Sequence, residues 1–231
     1  MFKIKNFIAV LFCLYTSKNV AQELVFSTGS NHTAYDYKNS QGETNSNIRN
    51  SSGNFYELGF FKTFGPKQRL GYTLGIALNE FNAKGGNLST IYTWETTYLG
   101  VKTGLSYALL ATTSGFRADL DLALQTNTII DGEQRINGAN FDLAKEQEFN
   151  GLFLQPTLGM GISYPLTDKV RIGLGYTYGN SVKVSQKTEE TLGFRNHQLR
   201  FSLNFCLKKT KGVAVSTDSQ QIKLTKNKSQ N

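Results

Sequence analysis

The sequence predicts an all-β fold: a closed, antiparallel, up-and-down transmembrane β-barrel of about eight strands. Three observations predict it. Apolar residues recur at every second position in one segment after another, the period of a strand with two different faces. The face opposite each apolar row is small and polar. The connections between the segments alternate between short turns and long polar loops.

The segments run as follows. The first, near Leu24 to Tyr37, has a broken pattern. Its apolar parity shifts from Leu24 and Phe26 to Tyr35 and Tyr37, which predicts a bulge near Gly29. Gly53 to Phe64 sets Tyr56, Leu58 and Phe60 against Glu57 and Gly59. Arg69 to Asn79 is the clearest: Leu70, Tyr72, Leu74, Ile76 and Leu78 oppose Gly71, Thr73, Gly75, Ala77 and Asn79. Tyr92 to Leu109 sets Leu99, Val101, Leu105 and Tyr107 against Gly100, Lys102, Gly104 and Ser106. Leu120, Leu122 and Leu124 oppose Arg117, Asp119, Asp121 and Gln125. Leu152 to Tyr164 sets Leu158, Met160 and Ile162 against Phe153, Gln155, Gly159 and Gly161. Ile172, Leu174, Tyr176 and Tyr178 oppose Arg171, Gly173, Gly175 and Gly179. The last segment sets Leu199, Phe201, Leu203 and Phe205 against Gln198, Arg200, Ser202 and Asn204.

Gly65–Gln68, Ala111–Ser114 and Pro165–Asp168 read as tight turns. Asn39–Ser52, Asn82–Thr90, Asp131–Gln147 and Ser185–Gly193 read as long loops. A barrel with short turns at one end and long loops at the other is the outer-membrane layout. No low-complexity linker interrupts residues 22–207, so they form one domain.

Alternation alone does not say which face is outside. The polar face is Gly, Ser, Thr, Ala, Asn and Gln with few charges. A surface in water would carry far more Lys and Glu, and Gly weakens an exposed strand. A barrel of about eight strands has room inside only for packed side chains, so small residues belong there. The Leu-rich face therefore meets lipid. Tyr72, Tyr107, Phe116, Tyr164, Tyr178, Phe201 and Phe205, with Trp94, supply its interfacial aromatics. Lipid also requires every backbone polar group to be paired, which closes the sheet on itself. Mean hydropathy is −0.33. A barrel tolerates that value because only alternate residues are apolar.

The net charge of +8 and pI near 9.4 would suit a nucleic-acid binder, but the charge lies at the ends. Residues 1–21 carry +3 and residues 208–231 carry +5, which leaves residues 22–207 neutral. Residues 1–21 read as a cleaved signal peptide: basic Lys3 and Lys5, an apolar run from Phe7 to Tyr15, and Val20-Ala21 before the cut. Residues 208–231 read as a basic flexible tail. After cleavage Cys206 is the one cysteine left, so no internal disulfide is expected.

The expected lumen holds Glu57, Lys102, Arg117, Asp119, Asp121, Arg171 and Arg200. They read as a structural ion-pair network, because an unpaired buried ion costs several kcal/mol. His32 and His197 are the two histidines, and with one mature cysteine they are too far apart in sequence to suggest a zinc site. No cofactor is expected. His197 with Ser181 or Ser185 and with Glu189 or Glu190 is the one combination that would suit a hydrolase. Asp131-Gly132-Glu133 is a fragment of a calcium-loop pattern and is read as a turn.

The leader, the alternating strands and the loop rhythm over residues 22–207 resemble the small outer-membrane β-barrel family of Gram-negative bacteria, of the OmpA-transmembrane or OmpX-like kind. His197 to Phe205 resembles that family's final strand, which usually ends in an aromatic residue read by the barrel-assembly machinery. Here the chain continues for 26 residues past Phe205. The resemblance implies a cell outer membrane location, with outer-membrane lipid and the assembly machinery as partners. The expected role is non-enzymatic: a membrane anchor whose external loops bind a partner or shield the surface. The alternatives are a narrow, porin-like channel or a component of an export or assembly complex, and a surface hydrolase.

Overall fold

The structure is a computed structural model and describes residues 22–45, 47–65, 67–86, 91–184 and 189–207. The leader and the basic tail lie outside the described residues. Eight long strands form a ring: β1 (Gln22–Lys38), β2 (Arg49–Phe64), β3 (Leu70–Glu80), β5 (Ile91–Ala111), β6 (Arg117–Ile136), β8 (Leu152–Pro165), β9 (Val170–Lys183) and β10 (Thr191–Cys206). Each pairs antiparallel with its neighbours in the chain, and β10 pairs with β1 to close the sheet. Two short strands extend the wall. β4 (Ala83–Gly86) continues the line of β3 between β2 and β5, and β7 (Ala139–Asp142) folds back on β6.

The stagger can be read from the ladder. Partners traced round the ring run Phe26, Leu58, Ile76, Val101, Thr126, Leu154, Val182, Gly193 and back to β1 at Asp36. One circuit thus advances ten residues along β1. Such a stagger requires strands tilted by roughly 35–45° and leaves a bore that side chains fill.

The polarity is inside out relative to a protein folded in water. Leu122 and Leu174 are each 60% exposed, whereas Asn31 and Asn127 are wholly buried. On β3 the apolar row Leu70, Leu74, Ile76 and Leu78 faces out, and Gly71, Gly75, Ala77 and Asn79 face in. An apolar surface this continuous is a lipid-facing surface. Phe64, Tyr107, Tyr164 and Phe205 ring its lower edge near the short turns, and Tyr56 and Tyr178 stand near its upper edge. The tight turns fall where the sequence places them, after β2, β5 and β8. Two of them turn on Gly65 and Gly115, both at positive φ, where a side chain would be strained.

Four sequence expectations are corrected. β1 has no bulge: its register with β2 and with β10 runs unbroken through Gly29. The apolar parity shifts because Tyr35 and Tyr37 turn inward above the membrane, while Leu24 and Phe26 face lipid below. The register breaks lie instead between Thr97 and Tyr98 and between Ala108 and Leu110, both on the β5–β6 ladder. Residues 131–136, taken as loop, continue β6, so Asp131-Gly132-Glu133 is strand, with Glu133 paired to Arg135 at 3.1 Å. Trp94 is no girdle residue: it stacks on Tyr92 and covers Gly85 in the extension above the barrel.

Candidate functional site in the barrel lumen

The lumen is filled in three layers. The lowest, toward the short turns, is ionic. Lys102 Nζ donates to Glu57 Oε2 at 2.8 Å, Arg117 to Asp119 at 2.6 Å, and Arg200 to Asp121 at 3.0 Å. Arg171 stands 3.8 Å from Glu23. All seven residues singled out in the sequence line one cavity of about 170 Å³. Glu23 and Ser106 belong to the same layer; Ser106 donates to Asp121 at 2.5 Å. Glu23 escaped the sequence reading because the alternation in β1 was obscured. Arg117 Nη2, Arg171 Nε, Thr63 Oγ1 and Asn204 Oδ1 are buried in the cavity wall without a hydrogen-bond partner among the described residues. A cavity of this size has room for a handful of water molecules at about 30 Å³ each.

The middle layer is a belt of carboxamides. Gln125 donates to Asn127 at 2.7 Å, Asn127 to Gln155 at 3.0 Å, Gln155 to Asn196 at 2.5 Å and Asn196 to Asn31 at 2.9 Å. Asn31 closes the run on the Glu80 carbonyl at 2.8 Å. Asn79 donates to Asn127 at 3.4 Å and accepts from Gln198 at 3.2 Å. The belt therefore links five strands, β1, β3, β6, β8 and β10, across the bore. Two glycines make room for it. A Cβ at Gly100 would sit 2.4 Å from Gln125, and one at Gly179 would sit 2.6 Å from Asn196. No charged side chain is needed at this level, because each amide offers both donor and acceptor.

The top layer is aromatic. Phe81, Tyr98, Phe153 and Phe194 are fully buried and pack with ring centroids 5.0–5.6 Å apart. Tyr35 meets Phe194 edge-on at 5.0 Å, and its hydroxyl donates to the Phe81 carbonyl at 2.7 Å. Phe149 from the β6–β8 connection leans on Tyr35 from above. Beside this cap, at the loop end of β1, Tyr37 donates to Glu190 at 2.6 Å. Burial, and then the adjacent Glu190 carboxylate, push the Tyr37 hydroxyl up to about 12.

The chain is similar to several solved structures. Neisserial surface protein A is 15% identical, with a TM-score of 0.45, and the match covers 79% of this chain and 96% of that one. OprG from Pseudomonas aeruginosa is 14% identical, with a TM-score of 0.45 and coverage of 81% and 97%. The attachment invasion locus protein Ail of Yersinia pestis is 10% identical, with a TM-score of 0.36 and coverage of 79% and 98%. These neighbours are small outer-membrane β-barrels. No protein-family model matches the chain, and no curated protein matches its sequence. The barrel assignment rests on the closed ladder and inverted polarity of this chain itself.

Ser181, His197 and Glu190 of the hydrolase combination do not converge. Ser181 faces inward, is 1% exposed and accepts from the Phe194 amide, whereas His197 faces outward. Hydroxyl and imidazole thus lie on opposite sides of the sheet. Glu190 is taken by Tyr37, and Ser185 lies outside the described residues. The two histidines, far apart in sequence, are direct partners across β1 and β10. Their rings lean apart, however. His32 Nδ1 contacts Ser52 Oγ on β2 at 3.1 Å, and His197 Nδ1 contacts the Tyr176 hydroxyl on β9 at 2.5 Å.

Proposed function

We propose that this chain is a non-enzymatic outer-membrane anchor: a sealed barrel that carries its binding surface on the long connections outside the cell. The observation that supports it most is the lumen. A neutral amide belt and an aromatic cap lie in series above the ionic cavity. An ion crossing them would have to shed its water among groups already bonded to each other. The long connections supply the remaining surface, including the β6–β7 hairpin with exposed Phe141. Export by a cleaved leader and insertion by the barrel-assembly machinery complete the proposal.

Planar-bilayer recording tests it. The native barrel is expected to show no discrete conductance steps. Asn127→Ala combined with Phe194→Ala removes one residue from each sealing layer and is expected to produce steps. Steady single-channel conductance from the native chain would instead favour the narrow-channel reading.

A further inference from the structure

The upper edge of the apolar band is uneven. Because the circuit of the ring gains ten residues over eight strands, each strand-to-strand step climbs by a little more than one residue. On that scale Leu152 on β8 and Val182 on β9 stand level with Ala34 on β1, Ser52 on β2 and Arg195 on β10. Leu152 is 47% exposed and Val182 56% exposed, so on β8 and β9 the apolar wall reaches this height. At the β1–β10 seam it stops lower. Above Phe26, β1 turns Thr28, Ser30 and His32 outward, and above Leu199, β10 presents His197 and Arg195. The result is a polar notch cut into the lipid-facing surface.

The chemistry of the notch has a sign. His32 and His197 sit opposite each other, and Arg195 follows two residues above His197 on the same face. Serine and tyrosine hydroxyls engage both Nδ1 atoms, and each Nε2 is without a partner among the described residues. Arg195 is exposed and forms no ion pair with the described residues. Asp36 is the nearest outward carboxylate on the seam, opposite Gly193 and above Arg195, and it bounds the notch from above. Below lie the apolar Phe26, Leu199 and Phe201. Polar groups facing lipid need partners, and a headgroup drawn down into the notch supplies them.

We propose that this notch binds the phosphate of an anionic lipid headgroup in the outer leaflet. Arg195 and the Nε2 edges of His32 and His197 hold the phosphate, while an acyl chain runs down Phe201 and Phe26. This inference rests on the outer-membrane reading above. A basic side chain near an anionic lipid surface contributes about 1 kcal/mol, which is about a five-fold preference.

The test uses the full mature chain in nanodiscs of equal phosphatidylglycerol and phosphatidylcholine, followed by mass spectrometry of the lipids retained. Heat-modifiable mobility on gels reports separately whether the barrel has formed, so failure of the membrane-barrel reading is distinguishable from failure of the site. The native chain is expected to retain phosphatidylglycerol preferentially. Arg195→Ala is expected to lower that preference about five-fold, and His32→Ala with His197→Ala to lower it further. Arg135→Ala, a cation away from the notch, should leave it unchanged. Equal retention of both lipids by the native chain, an unaffected preference in Arg195→Ala, or an equal loss in Arg135→Ala would each overturn the site. So would a second copy cross-linked through Ala34→Cys in place of lipid.

Discussion

Lys102→Met is expected to destabilise the folded barrel by about 3–5 kcal/mol, because it leaves a buried carboxylate without its partner. Glu57 is 6% exposed, and both of its oxygens accept from Lys102, at 3.0 and 2.8 Å. The wall of the barrel keeps bulk water from the pair, and the cavity beside it has room for only a handful of water molecules. Replacing both partners, Lys102→Met with Glu57→Leu, removes the desolvation cost together with the attraction. That double variant is expected to lie within about 1–4 kcal/mol of the native chain, on either side. Urea or guanidinium unfolding of the barrel in lipid vesicles measures both. A single variant as stable as the native chain would mean that the ionic layer is wetter than its burial implies.

Leu74→Arg is the second large effect, expected to cost about 2–4 kcal/mol. Leu74 is at the middle of the outward row of β3, 45% exposed, between Tyr72 and Ile76. In water an exposed leucine tolerates arginine with little change. At mid-bilayer the guanidinium must climb to the interface or pull water down to itself. The same substitution at Thr97, outward on β5 near the loop end, is expected to cost roughly 0–1 kcal/mol. The depth dependence therefore separates a lipid-facing wall from a mutation that simply disturbs a strand.

The strands and their two faces were legible because lipid imposes a strict period of two on them. Leu70 to Leu78 and Leu152 to Tyr164 show this most plainly, and the structure keeps both parities. The signal fails where the chain leaves the membrane. There Tyr35, Phe81 and Phe194 point inward, since above the bilayer the barrel buries apolar groups as any protein in water does. That change of solvent produced the false bulge near Gly29 and placed Trp94 in the girdle. The seven lumen charges could be picked out because each lies on a small-residue face. Their partners could not, because pairing across the bore depends on the ten-residue stagger. The carboxamide belt was hidden for the same reason. Asn31, Asn127 and Asn196 are unremarkable one at a time and come together only when the sheet closes. Gly100 and Gly179, which read simply as small residues, turn out to be shaped around that belt.

The central claim is that the exposed apolar wall faces lipid and the polar face is the interior. The sequence has one tryptophan, Trp94, so Trp94→Phe gives a silent background. Leu122→Trp in that background places an indole on the outer wall at a position 60% exposed in the barrel. Its fluorescence in vesicles of brominated acyl-chain lipid decides the matter. Strong quenching and a blue-shifted emission are the expected result. An unquenched indole emitting at the wavelength of one in water would contradict the account.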